Sequence, residues 1–358
     1  MSFTAGNHIR LTLFGQSHAP AVGGVIDGLP AGEPLDMEAA QAFLDRRGPG
    51  RSPLATARNE PDIPQILAGL SGGKTCGAPL AFIIPNTDTR PGDYDKLRAQ
   101  PRPSHADFPA LVKYGGAHDL KGGGFFSARM TAPLCFAGAV VLQILARRGV
   151  TVGAHIARTA GIDDKAFDPV NLSLDELKAP SQRDFPVNDP AKGEAMRRAI
   201  LKAKAEGDSV GGVVECAVLG LPAGIGEPLF DGLEGMIARL VFAVPAVKGI
   251  AFGAGFGIAD MRGSEANDPY TAPEGSSLRC TRNNNGGILG GLSTGMPLIF
   301  RAAFKPTPSI AKAQESWNTQ TGRTEPLTVP GRHDPCVVPR AVPCVEAAAA
   351  LAVLDSMV

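Results

Sequence analysis

Three stretches of the chain bring together side chains able to move a proton or hold an anion. The densest is 331–343, where Arg332, His333, Asp334 and Arg340 fall within ten residues. Pro335, Pro339 and Pro343 restrict the backbone there, argue against regular helix and predict that these charges are held still. A salt-bridged turn accounts for the same residues, because an exposed Asp–Arg pair contributes little. The second stretch is Gly15-Gln16-Ser17-His18, a polar turn whose histidine is either solvated or poised for proton transfer. The third, Arg102-Pro103-Ser104-His105-Ala106-Asp107, is a proline-restrained turn with a histidine two residues before an aspartate.

Cationic and glycine-rich segments supply the anion-binding chemistry. Arg46, Arg47 and Arg51 surround a Gly-Pro-Gly turn, and guanidinium forks match phosphate or carboxylate oxygens. A solvated helix end uses the same residues to complement the helix dipole. Gly122-Gly123-Gly124 precedes a helix whose first turn holds Ser127 and Arg129, which suits either an anion cradle or close packing. The run 283–291, with its glycine pairs, predicts a loop where backbone approaches a ligand or another backbone. The segment 68–75 mimics a phosphate loop ending in Lys74-Thr75. It is rejected as one, because Cys76-Gly77-Ala78-Pro79 and a strand-like run follow where a helix would have to begin.

Regular elements must position these residues. Residues 9–14 and 21–26 read as strands bracketing the His18 turn. Asp36 reads as the cap of a helix ending at Arg47, with Ala39, Ala40, Phe43 and Leu44 as its buried stripe. A strand over 80–84 and a helix over 108–114, capped by Asp107, come next. The apolar helix from about 127 to 148, stopped by Gly149, should be central. Strands near 150–158, 213–219 and 297–304 alternate with helices near 192–206 and 233–242, and a last helix covers 345–357. The polar run 311–330 between two candidate site segments predicts a flexible lid.

Composition limits the function. The chain of 358 residues has formal net charge zero from 35 basic and 35 acidic residues, which argues against a general nucleic-acid or acidic-membrane binder. Gly (44) and Pro (31) make up about a fifth of it, against about an eighth in ordinary proteins, so many functional loops are expected. The six cysteines lack zinc-site spacing, predict no metal centre and read as reduced thiols of a cytosolic protein. No secretory signal is visible in the first 15 residues, and the apolar run 132–146 is too short to span a membrane.

Taken in order, the motifs resemble one family, chorismate synthase. The matching pieces are FGQSHAP (14–20), IDGLPAG (26–32), LDRRGPG (44–50), RPSHAD (102–107), SARMTA (127–132), GDSVGG (207–212), PAVKG (245–249), GGILGGLSTG (286–295), KPTPSI (305–310) and GRHDPCVVPRAVP (331–343). The resemblance covers nearly the whole chain. It implies an α/β fold, a β-α-β sandwich with mixed or antiparallel sheets around central helices, in a single domain over 1–358 that assembles as a homotetramer. It implies a lyase of the shikimate pathway that eliminates phosphate from 5-enolpyruvylshikimate 3-phosphate to give chorismate, with reduced FMN as cofactor. The chain has no room for a reductase domain and no GxGxxG fingerprint, so electrons, ultimately from NADPH, would come from an external flavin reductant.

The resemblance also assigns residues. His18, His105 and Asp334 match the catalytic positions: the proton donor to phosphate, the histidine near the flavin pyrimidine ring, and the carboxylate that removes the ring proton. Ser17, Arg47, Arg51, Arg129 and Arg332 match the substrate-binding set. Ser127, Ala246, Gly286, Lys305, Pro306, Thr307, Pro308, Ser309 and Arg332 match the flavin contacts. The chain departs from the usual pattern at Phe125 and Phe126, which replace Arg and Ser, and at Met130, which replaces Glu. Pro53 stands where a later Arg is usual, and Gln16, Ala19 and Ser104 replace Glu, Gly and Gly. The Phe125-Phe126 pair supports an alternative, a non-catalytic relative that binds a flavin or phosphorylated metabolite; His18, His105 and Asp334 oppose it.

Overall fold

A computed structural model describes residues 3–48, 54, 60–88, 99–119, 121–272, 278–329 and 334–358. Two five-stranded sheets dominate it. The first orders its strands Thr4–Ala5, Arg10–Gly15, Ala21–Asp27, Leu80–Pro85 and Gln65–Ala68; the second orders Val247–Phe252, Leu298–Phe304, Gly212–Leu219, Thr151–Thr159 and Ile162–Asp163. Every pairing within both sheets is antiparallel. Helix Thr131–Arg147 packs on the first sheet, helix Val338–Ser356 on the second, and the two helices pack on each other. One continuous hydrophobic cluster runs through all four layers.

These helices are central because they are apolar on nearly every side. Thirteen of the 17 residues of Thr131–Arg147 are buried, as are 16 of the 19 of Val338–Ser356. The span 128–147 is long and apolar enough to cross a membrane, contrary to the expectation from residues 132–146, but 83% of an 18-residue window within it is buried inside the fold.

The C-terminal helix begins seven residues earlier than the sequence suggested and contains Pro339 and Pro343. Pro339 sits in the first turn, where a missing N–H costs no internal bond. Pro343 does forfeit one, and burial on both faces of an alanine-rich helix offsets that loss. Buried Glu346 ties this helix to its neighbours. It takes two hydrogen bonds from Arg46, at 2.6 and 2.8 Å, and one from the Ala154 amide at 3.0 Å.

Helix Met37–Arg47 starts as expected, with Asp36 accepting from the Glu38 and Ala39 amides at 2.9 and 3.0 Å. Lys74–Thr75 is a short strand paired with Leu70–Ser71, which excludes a phosphate loop opening a helix. Asp107 is the first residue of helix Asp107–Tyr114 rather than its cap, because its carboxylate is engaged by Arg102 and His105. Residues 314–327 form a hairpin, Gln314–Asn318 against Arg323–Leu327, tied to 99–101 by bonds such as Ser316 Oγ to the Pro101 carbonyl and Thr319 N to the Ala99 carbonyl.

The second sheet holds a buried charge network remote from the predicted motifs. His155, fully buried, lies 2.9 Å from both Asp164 and Glu215, and Glu215 also meets Arg301 at 2.8 Å. Burial pulls the His155 pKa down, but hydrogen bonds to the two carboxylates outweigh it and hold the pKa above its ordinary value.

Candidate active site

A cavity of about 510 Å³ gathers most of the predicted site residues from separate segments. Ser17, His18, Arg47, His105, Ser127, Arg129, Ala246, Lys305, Thr307, Pro308, Ser309 and Asp334 all line it. Pro306 and Gly286 do not. Gly286 is placed by close approach to another backbone, since a Cβ there would lie 2.4 Å from the Gly253 amide nitrogen. Arg51 and Arg332, like Gly331 and His333, lie outside the described residues.

The His18 turn joins two antiparallel strands and is braced from both sides. Asn86 donates to the Gln16 and Ala19 carbonyls at 3.0 and 2.7 Å, and the Ser17 amide donates to the Gly124 carbonyl at 3.1 Å. Gly122, Gly123 and Gly124 all adopt positive φ, which glycine alone tolerates readily. A Cβ on Gly122 would lie 2.2 Å from His18 Cε1, and one on Gly123 3.4 Å from His105 Nε2. The triple glycine therefore serves close packing, and what it packs against is both histidine rings.

His105 is oriented by a compact ion-pair unit. Its Nδ1 lies 2.6 Å from Asp107 Oδ1, while Arg102 donates to the same carboxylate through Nε at 2.7 Å and Nη2 at 2.8 Å. Burial raises the Asp107 pKa, but the hydrogen bonds from Arg102 and His105 outweigh it and hold the carboxyl well below its usual range. The Asp107 carboxylate accepts a hydrogen bond from Nδ1–H and fixes the orientation of the ring. Arg102 also reaches Ser309 Oγ at 3.4 Å, linking this unit to the 305–309 wall.

That wall carries Lys305, whose ammonium donates to the Ser104 carbonyl at 2.5 Å. Burial and then the nearby Lys248 lower its pKa. Among the described residues the Thr307 hydroxyl is buried without a hydrogen-bond partner, an arrangement that favours a ligand atom to satisfy it. Opposite chemistry comes from Phe125 and Phe126, whose rings stand 4.5 Å apart and line the cavity. Phe3 and Tyr114 hold Phe125 edge-on, at 5.5 and 5.6 Å.

On the remaining side Arg47 and Arg129 are both 3% exposed and share one carboxylate, Asp62. Asp334 accepts from Arg340 Nη1 at 2.6 Å, and Arg340 Nε donates to the Arg47 carbonyl at 2.9 Å. Sequence reasoning did not assign site roles to Asp62, Glu60, Arg102, Asp107 or Arg340. Arg102 and Asp107 were discoverable from their spacing around His105; nothing local marks Asp62.

The cavity therefore combines clustered guanidiniums, two fixed imidazoles, the carboxylates of Glu60, Asp88 and Asp334, and an aromatic wall. Such a set can bind a phosphorylated acid, protonate a leaving group and accept a proton.

Comparisons with known proteins agree with one another. The family described as Chorismate synthase matches residues 9–358. The chain is 45% identical to a protein named chorismate synthase from Lancefieldella parvula, covering 100% of this chain and 96% of that one. It is 45% identical to one so named from Korarchaeum cryptofilum, covering 98% and 96%. The fold matches a solved structure titled "Crystal Structure of Chorismate Synthase" with TM-score 0.78 and 27% identity, over 99% of this chain and 92% of that one.

Proposed function

The chain belongs to the chorismate synthase family, and we propose a residue-level reading of how its cavity performs the family reaction. That reaction eliminates phosphate and a proton from 5-enolpyruvylshikimate 3-phosphate in an anti-1,4 sense, giving chorismate. The observation that carries the reading is the convergence of His18, His105, Asp334, Arg47 and Arg129 on one cavity.

A phosphorylated dicarboxylate calls for fixed cations, which Arg47 and Arg129 provide, with Ser17 adding a hydroxyl. His18, its ring positioned against Gly122, donates the proton that the departing phosphate needs. Asp334, aligned by Arg340, receives the proton lost from the substrate ring. The residues present fit a flavin. Phe125 and Phe126 offer an apolar aromatic wall, while Lys305 and the Thr307 hydroxyl offer polar contacts to a phosphate or ring edge. Reduced FMN, when bound, supplies transient electron density as the phosphate departs, with no net redox change. His105, braced by Asp107, stabilises negative charge beside that wall.

The same reading includes a homotetrameric, cytoplasmic enzyme built as one domain, with reduced flavin coming from an external reductant that draws on NADPH. It treats 311–330 as a lid, because the hairpin continues directly from the 305–309 wall. A binder without turnover is the second reading, favoured by Phe125 and Phe126 where polar residues are usual.

Anaerobic assay of chorismate formation from 5-enolpyruvylshikimate 3-phosphate, with and without chemically reduced FMN, tests the proposal. Turnover should require reduced FMN, and His18→Ala should lower it by about 10²–10⁴-fold. No turnover at saturating reduced flavin would reject it in favour of the binder.

A further inference from the structure

Asp62 is 1% exposed, and its two carboxylate oxygens serve different partners. Oδ2 accepts from Arg47 Nη1 at 2.5 Å and Oδ1 accepts from Arg129 Nη1. Each guanidinium is pinned again from another element. Arg47 Nε donates to Thr131 Oγ1 at 3.0 Å; Arg129 donates through Nε to Asn86 Oδ1 at 2.7 Å and through Nη2 to the Pro85 carbonyl at 3.2 Å. The Asp62 backbone is left-handed, with φ +49°, a conformation that non-glycine residues adopt rarely and mostly where function or turn geometry requires it.

Position decides what this carboxylate does. Arg47 and Arg129 line the cavity, whereas Asp62 does not. A carboxylate on the ligand side, such as Glu60, which lines the cavity and acts on Arg129, competes with an anionic substrate for the arginines; one placed behind them, as Asp62 is, cannot. The two cations also oppose each other, since burial lowers the Arg129 pKa and the charge of Arg47 lowers it further. A guanidinium has five N–H donors. With Arg47 Nη2 also meeting the Ala128 carbonyl at 3.4 Å, three on each arginine are used by the described residues, which leaves two on each unused among them.

We propose that Asp62 is a positioning residue: it bridges Arg47 and Arg129 from behind and holds their remaining donors convergent, so that the pair takes the phosphate or carboxylate of the substrate as one preformed unit. This rests on the reading of the cavity as the site of a phosphorylated acid. Ground-state and transition-state complexes share that anion contact, so its loss should appear in KM rather than in kcat.

The test is steady-state kinetics of Asp62→Asn and Asp62→Glu at saturating reduced FMN. A separate measurement follows the rise in Tm that inorganic phosphate induces in each protein without flavin or substrate. Losing one charge-assisted anchor should raise KM of Asp62→Asn by about 10–100-fold, with kcat within about threefold, and should abolish the phosphate-induced rise. Asp62→Glu keeps the charge at a longer reach and should fall between wild type and Asp62→Asn. It also carries the test if Asp62→Asn does not fold. Unchanged KM in the folded variant overturns the proposal, as does a lower Tm or kcat with KM intact, which would make Asp62 merely structural. If wild type forms no chorismate yet its phosphate response depends on Asp62, the positioning role stands and the reading of the reaction fails.

Discussion

Gly122 offers the sharpest separation of fold from function. Its φ is +61°, and an added Cβ would lie 2.2 Å from His18 Cε1, 2.4 Å from His18 Nδ1 and 2.9 Å from Ser17 Oγ. Ordinary contact begins near 3.4 Å, so Gly122→Ala must push the imidazole back by about 1 Å or more, a misplacement that can cost on the order of 10²-fold in rate. The fold itself suffers less, because a histidine side chain can swing; the strain of a left-handed alanine costs about 1–2 kcal/mol. Gly72→Ala is the matched control, with φ +55° and nothing within 4 Å of the new methyl. Thermal unfolding should show similar losses of stability in the two variants. Anaerobic chorismate formation with reduced FMN should fall about 10²-fold in Gly122→Ala only. Equal kcat in the two variants would refute the claim that this glycine sets the position of a catalytic His18.

Two further outcomes follow from buried charges. Asp107→Asn removes the partner of the buried Arg102 and the acceptor of the His105 Nδ1 proton; it should cost about 3–5 kcal/mol in denaturant unfolding. Because the Asp107 pKa is depressed, its contribution is present above the ordinary carboxylate range and is lost only as pH falls through the folded value, so the gap to wild type should close only in strong acid. His155→Asn should destabilise the second sheet with the opposite alkaline behaviour. The raised His155 pKa contributes fully below about pH 6.5 and fades as pH rises through the folded value. The difference in Tm between wild type and His155→Asn should therefore be larger at pH 6 than at pH 9, and a gap that widens with pH would contradict the charged assignment.

Much of this architecture could be read from local chemistry. The Asp36 cap, the alternation in 9–14 and 21–26, and the all-round apolar run after Ser127 each act over a few residues, and each appeared where expected. His18 and His105 stood out because turns and prolines frame them. Asp62 did not, since its partners lie 15 positions before it and 67 after it, and only the fold brings the three together. The prolines of 335–343 misled for a related reason. Local propensity opposes a helix there, and the burial that overrides it is supplied by two other layers. The triple glycine showed its need for close approach in sequence, but which rings it admits is a tertiary fact.

The helix Val338–Ser356 has a consequence for how the protein is made. Asp355 within it accepts the amides of Asn7, His8 and Ile9 at 2.8, 2.6 and 2.7 Å, joining nearly the last residues of the chain to nearly the first. The inner face of the second sheet therefore lacks its covering helix until Val338–Ser356 has been translated. At about 5–20 residues per second, strand Thr151–Thr159 waits on the order of tens of seconds for that cover. Folding from the ribosome cannot complete this core before the final helix emerges, and truncations that remove it should accumulate as aggregates rather than as a shorter soluble domain.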